Sequence, residues 1–155
     1  MVIILCFTAP LVQQSKFLNT RMKIAITGTK GIPNHYGGFE QFVEFLSVGL
    51  VSRGHEVIVY NPTFHPYKNT VYKGVQIVYK PNPENIIGPA ANILYDFLCL
   101  RDAIRRKSDV ILECGYASAV PALSLLRHRG VKMITHLDGM EWKRPKWTQL
   151  TRLFI

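Results

Sequence analysis

From Met22 onward, short runs rich in β-branched residues alternate with longer segments whose apolar residues recur every three or four positions. This alternation confines the chain to a layered α/β fold, because strands joined through crossover helices pair in parallel and need cover on both faces. Residues 24–27 read as a first strand stopped by Gly28. Residues 39–51 place Phe39, Phe42, Val43, Leu46 and Leu50 at helical spacing, and Gly54 suits the left-handed position that ends such a helix. Residues 56–60 form the second strand, and residues 71–79 a hairpin or a strand preceded by a turn, closed by Pro81 and Pro83. A helix is predicted over 92–106 with Leu94, Phe97, Leu98, Leu100 and Ile104 as its buried stripe. Residues 110–113 are a strand, 121–127 lie in a helix, and 131–135 are a further strand ending at His136.

The expected architecture is therefore a doubly wound, mainly parallel, Rossmann-like sheet of five or six strands. Ligands of such sheets bind beyond the carboxyl ends of the strands, near the point where strand order reverses. Three loops qualify, spanning 29–38, 115–118 and 136–146. Residues 148–155 read as part of a helix carrying Leu150, Leu153, Phe154 and Ile155.

A chain of 155 residues supports one domain with a real core. Residues 1–21 stand apart: their apolar run over 2–12 is too short to span a membrane, and no basic residue precedes it as in a signal peptide. They are expected to be an extension outside the fold, with an amphipathic or export segment as the alternative, and the domain to occupy 22–155. Cys6, Cys99 and Cys114 have neither metal-ligand nor redox spacing. No metal is expected, a reducing cytoplasm fits, and Cys114 reads as a small buried residue rather than a reactive thiol.

Nineteen Lys and Arg against ten Asp and Glu give a net charge of +9, which bears on partners rather than on fold. No nucleic-acid-reading motif accompanies the excess, so nucleic acid is not expected as a partner. Arg101, Arg105, Arg106 and Lys107 read as a solvated face. Lys143, Arg144 and Lys146 alternate with Trp142 and Trp147, an arrangement suited to a membrane interface.

Two of the loops carry candidate chemistry. Gly28, Gly31, Gly37 and Gly38 precede a helix whose first turn holds Glu40, and backbone N–H groups there could cradle a phosphate. The spacing is neither a Walker A motif nor a dinucleotide fingerprint, and turn geometry alone could require these glycines. Glu40 could equally cap the helix. A nicotinamide site is disfavoured further because Asn61-Pro62 stands where the second strand would need an acid. In the last loop His136 and Asp138 point the same way if the backbone is extended, with Glu141 close by, so that a His-carboxylate pair could act as general base for a hydroxyl. A structural, hydrogen-bonded His136 is the competing reading.

Tyr36-Gly37-Gly38-Phe39-Glu40, followed by an amphipathic helix and Arg53-Gly54-His55-Glu56-Val57, resembles the opening of glycosyltransferase family 4 enzymes. The segments 27–33 and 138–147 look like a bacterial rhamnosyltransferase-like subgroup acting in cell-surface polysaccharide assembly. The resemblance covers residues 22–155. It implies a GT-B architecture in which this half takes a lipid-linked or glycan acceptor at the inner face of the membrane. A C-terminal half, expected to be absent from these residues, takes a nucleotide sugar as co-substrate without a metal. Carried over by position, Gly31, Gly37 and Gly38 would face the donor phosphates, and Asp138 with His136 would lie near the acceptor hydroxyl. Glu141, Trp142, Lys143, Arg144 and Trp147 would face the acceptor or membrane. The family's Glu-x7-Glu motif belongs to the other half, so this chain alone is expected to be inactive. A non-catalytic module binding an anionic lipid or glycan is the alternative.

Overall fold

The computed structural model describes residues 20–126 and 130–136, with the side chains of Tyr116 and Ala117 left aside. Six strands form one sheet: β1 (Lys23–Thr27), β2 (Glu56–Pro62), β3 (Val71–Tyr72), β4 (Val75–Lys80), β5 (Val110–Glu113) and β6 (Lys132–Thr135), in the order β3-β4-β2-β1-β5-β6. All neighbours are parallel except β3 and β4, which make an antiparallel hairpin. Among the described residues four α-helices connect or flank them: α1 (Gly38–Ser52), the single turn α2 (Glu84–Ile87), α3 (Ala91–Arg105) and α4 (Tyr116–Leu125). This is the doubly wound Rossmann-like α/β sheet that the alternation implies.

The strands are near-continuous apolar runs because both faces are covered. Along β1 and β2 successive side chains go to opposite layers. Ala25, Ile58 and Tyr60, with Ile111 of β5, pack against Tyr95, Cys99, Leu100 and Ala103 of α3 and Ala119 and Ala122 of α4. Ile24, Ile26, Val57 and Val59 pack with Val43 of α1 and with Ile32 from the loop after β1. Each fully buried Ile or Leu in these layers contributes about 1.5–3 kcal/mol.

Four expectations are corrected. The buried stripe of α3 keeps Leu100, with Phe97 and Ile104 half-buried against the core as expected, but its other fully buried members are Ala91, Tyr95, Asp96, Cys99 and Ala103, and Leu94 is 44% exposed. Small and polar residues take the inner positions because α3 lies close to the sheet and beside α4. The helix expected to include 121–127 begins at Tyr116, inside the expected loop 115–118, and holds Pro121 in its interior. Proline there deprives the carbonyl four residues earlier of its donor, a loss a short helix tolerates. The loop 115–118 thereby shrinks, and Ser118 joins the first turn. The second strand runs on to Pro62, whose missing N–H leaves no ladder gap because β1 has already ended beside Val59. Finally, α2 and a 3-10 turn at Gly88–Ala90 follow Pro83, in a stretch where no element was expected. Gly54 does adopt the left-handed conformation after α1.

Candidate functional site

Strand order reverses at β1: the chain moves from β1 outward through β2 and β4, then returns to place β5 on the other side. The carboxyl ends of β1 and β5 therefore frame the crevice where this fold places ligands. They approach closely. A Cβ on Gly28 would come within 1.9 Å of Glu113 Oε1 and 2.3 Å of the Gly115 nitrogen, and Gly28 also needs φ +75°. Glycine is required at 28 for this contact between strand ends, independently of any ligand.

Glu113, the last residue of β5, is fully buried there. Its Oε1 accepts the Gly115 N–H at 2.9 Å, and its Oε2 lies 2.5 Å from Thr27 Oγ1. Asp96, reaching the crevice from α3, is 2% exposed, and its Oδ2 is buried without a hydrogen-bond partner among the described residues. Burial, then the neighbouring Glu113 charge, push the Asp96 carboxyl up to about 8, against the opposing pull of Ser118 and Lys30. Burial likewise raises Glu113, opposed by Thr27 and the Gly115 N–H. The two acids titrate as a pair and hold at least one proton at neutral pH. When Glu113 carries it, the Thr27 hydroxyl can receive that proton's hydrogen bond and donate its own to Leu112 O, 3.4 Å away.

Above this pair is a cavity of about 190 Å³, lined by Gly28, Lys30, Tyr36, Asn92, Asp96 and Ser118 among others. Lys30 crosses its rim. The Lys30 ammonium pairs with Glu84 of α2, lies 3.3 Å from Asn92 Oδ1, and sits 5.8 Å from the centroids of both Tyr36 and Phe64.

The glycine loop is held from within. The N–H groups of residues 30, 31, 32, 34, 36 and 37 donate to Glu40 Oε1, Thr29 Oγ1, Asn61 Oδ1, Glu44 Oε2 and, for the last two, Asn34 Oδ1. Glu40 thus braces Lys30 from inside the fold, 4% exposed, and makes no cap bond to α1. Gly31 adopts φ +93° with its Cα against Asn61, so its glycine answers to packing. At Gly38 a Cβ would meet nothing within 4 Å. The N–H groups of the first turn of α1, beginning at Gly38, have no intrahelical partners by geometry and point out of the helix start.

His136 continues the β6 ladder by donating its N–H to Glu113 O at 2.8 Å. Its ring lies 5.3 Å from the rings of both Phe39 and Phe42, and Nδ1 is buried without a partner among the described residues. Gly38, Phe39, Phe42 and His136 line a second depression of about 350 Å³. The structure therefore brings together His136, Gly38 and the start of α1. Gly31 lies deeper, against Asn61. Asp138, Glu141, Trp142, Lys143, Arg144 and Trp147 lie outside the described residues.

Sequence reasoning passed over Asp96 and Glu113, and placed Lys30 and Ser118 only within the candidate loops 29–38 and 115–118. The available signal was an aspartate on the apolar side of a helix, Tyr95-Asp96-Phe97, and a glutamate ending an apolar strand. Cys114 is buried, and burial followed by the Glu113 and Glu40 charges pushes its thiol up to about 12, so it is an inert packing residue.

A larger depression of about 720 Å³ runs along α1 past Phe42, Phe45, Leu46 and Leu50, away from the strand ends. It offers surface rather than converging polar groups. Among the described residues no three or more His, Cys, Asp or Glu are grouped to hold a metal ion, and no helix is long and apolar enough to cross a membrane.

Fold and crevice define a Rossmann-like α/β domain with a polar, acid-floored cavity at its switch point. The chain belongs to the family described as Domain of unknown function (DUF1972), whose model matches residues 21–155. No curated protein matches it.

Proposed function

We propose that this domain is the N-terminal, acceptor-side half of a GT-B glycosyltransferase of the family 4 type. The complete enzyme would move a hexose or deoxyhexose, rhamnose being one candidate, from a nucleotide sugar to a lipid-linked or glycan acceptor in cell-surface polysaccharide synthesis. What supports the reading is the meeting of His136 with the first turn of α1 beside Gly38, at the carboxyl edge of the sheet. A base from one loop and outward-pointing N–H groups from another then border the same depression.

In this reading the acceptor hydroxyl lies beside His136 and Asp138, which take its proton as the glycosyl bond forms. The leaving diphosphate faces the N–H groups at the start of α1, fixed donors that need no reorganisation as charge develops. The nucleotide sugar is held by a second domain of the same polypeptide, and no metal is required. Trp142, Lys143, Arg144 and Trp147, with Glu141, would face the acceptor or the headgroups of the cytoplasmic membrane face, making the protein peripheral there.

The gene is expected to continue in frame into a second Rossmann-like domain with a Glu-x7-Glu motif, and the complete protein to transfer sugar from a nucleotide donor. Asp138→Asn should lower kcat by about 100-fold or more without loss of folding. Unchanged turnover would remove Asp138 from the mechanism. A protein that binds acidic vesicles and transfers nothing would replace the transferase by a binding module.

A further inference from the structure

The switch-point cavity makes a narrower demand on its occupant than the transferase reading does. Its lining includes Asp96, 2% exposed, whose Oδ2 is buried and unpartnered among the described residues. A buried polar atom left without a partner costs about 1–3 kcal/mol, so the site favours a ligand that brings a hydrogen bond to it. An apolar ligand brings none. An anion meets the Glu40 carboxyl and gains little from Lys30, whose charge is already paired with Glu84. A cation finds Asp96 protonated at neutral pH and Glu84 already paired with Lys30.

The rest of the lining is mixed. Ser118 Oγ donates to Gly115 O at 3.1 Å and so presents lone pairs. Asn92 Oδ1 is occupied by Lys30 and Asn82, which leaves its amide N–H groups to donate. Tyr36, 71% exposed at the mouth, offers an aromatic face. Acceptors and donors on the wall, one ring for a C–H face and a volume of about 190 Å³ match an uncharged six-membered ring bearing several hydroxyls.

We propose that this cavity is a subsite for a single neutral pyranose ring, anchored by hydroxyl hydrogen bonds to Asp96 and Ser118 and stacked on Tyr36. Assigning the ring to the acceptor rests on the transferase reading; its binding does not.

Titration of the isotopically labelled 155-residue chain with the methyl glycosides of L-rhamnose and D-glucose, and separately with inorganic phosphate, tests this by amide chemical shifts. At least one glycoside should shift the amides of Gly28, Lys30, Asp96 and Ser118 saturably, with Kd in the millimolar range, and phosphate should not. Asp96→Ala should weaken binding about tenfold or more. Tyr36→Ala, at an exposed position that leaves folding intact, should weaken it about threefold or more, and decides the matter if Asp96→Ala does not fold. Absence of saturation by both glycosides overturns the subsite, as does a response to phosphate alone. Unchanged affinity in folded Asp96→Ala, or in Tyr36→Ala when the former is unfolded, also overturns it. Glycoside binding by a complete protein that transfers nothing leaves the subsite standing and removes only the transferase. Transfer activity with an acceptor KM untouched by Tyr36→Ala does the reverse.

Discussion

Asn61 holds Ile32 by both sides of its backbone: Asn61 Oδ1 accepts the Ile32 N–H at 3.0 Å, and Asn61 Nδ2 donates to the Ile32 carbonyl at 2.8 Å. All these atoms are buried, so this side chain, one residue before the end of β2, does for the loop what a strand neighbour does within the sheet. Asn61→Ala leaves an N–H and a carbonyl unsatisfied and should destabilise the chain by about 3 kcal/mol. Urea denaturation monitored by circular dichroism measures it; a loss below about 1 kcal/mol would show that water or a shifted loop replaces the contact.

The glycines of the same loop should differ sharply. Gly31→Ala combines a strained positive φ with a Cβ 2.3 Å from Asn61 Oδ1, and should cost about 3 kcal/mol or more. Gly38→Ala meets open space at a helix start and should change stability by no more than about 0.5 kcal/mol. Thermal melts of the two variants side by side provide the comparison, and equal effects would mean the loop does not keep this conformation in solution.

The sheet was legible because its signal is redundant: Ile24, Ile26, Val57, Val59 and Ile111 are β-branched, apolar and closely bounded by Gly, Asn and Ser. The glycine loop was legible as a loop, but its chemistry was not. Spacing cannot tell a glycine that approaches a phosphate from Gly31, which is required by Asn61 thirty residues later. Asp96 was hidden for a related reason. Periodicity assigned the inner face of α3 to its large apolar residues, whereas close packing on the sheet selects Ala91, Cys99 and Ala103 and turns Leu94 outward. The acid pair exists only because β5 returns beside β1, a tertiary event that local pattern does not record.

The buried acids should make stability depend on pH in an unusual direction. An unfolded aspartate ionises near 4, whereas folded Asp96 keeps its proton up to about 8. Between those values the folded chain holds the extra proton, so stability falls as pH rises, by up to about 1.4 kcal/mol per pH unit from this group, and levels off above 8. Asp96→Asn removes this carboxyl of the pair, leaving Glu113, while keeping the shape. Its melting temperature should exceed that of the parent by more at pH 8 than at pH 5. An equal difference at both pH values would mean that Asp96 is not the carboxyl of the pair that holds the proton.

Further along α3, Asp102 should act in the opposite sense. It accepts Tyr60 Oη at 2.9 Å, pairs with Lys80 at 3.0 Å and with Arg106 at 2.5 Å, and so ties β2 and β4 to α3. Burial alone would raise its carboxyl, but Arg106, Lys80 and Tyr60 together hold it below the ordinary aspartate value. That stabilisation is present above the unfolded value near 4 and is lost as pH falls through the lower folded one. Asp102→Asn should therefore cost about 2 kcal/mol at pH 7 and progressively less on acidification. Tyr60→Phe should cost about 1 kcal/mol, because it removes one hydroxyl whose acceptor keeps two cationic partners. The two losses share one hydrogen bond, so the double variant should be more stable than their sum predicts by about 0.5–1 kcal/mol. Strict additivity in denaturant titrations at pH 7 would mean that the Tyr60 hydroxyl and Asp102 act independently, and that the layers are joined by apolar packing alone.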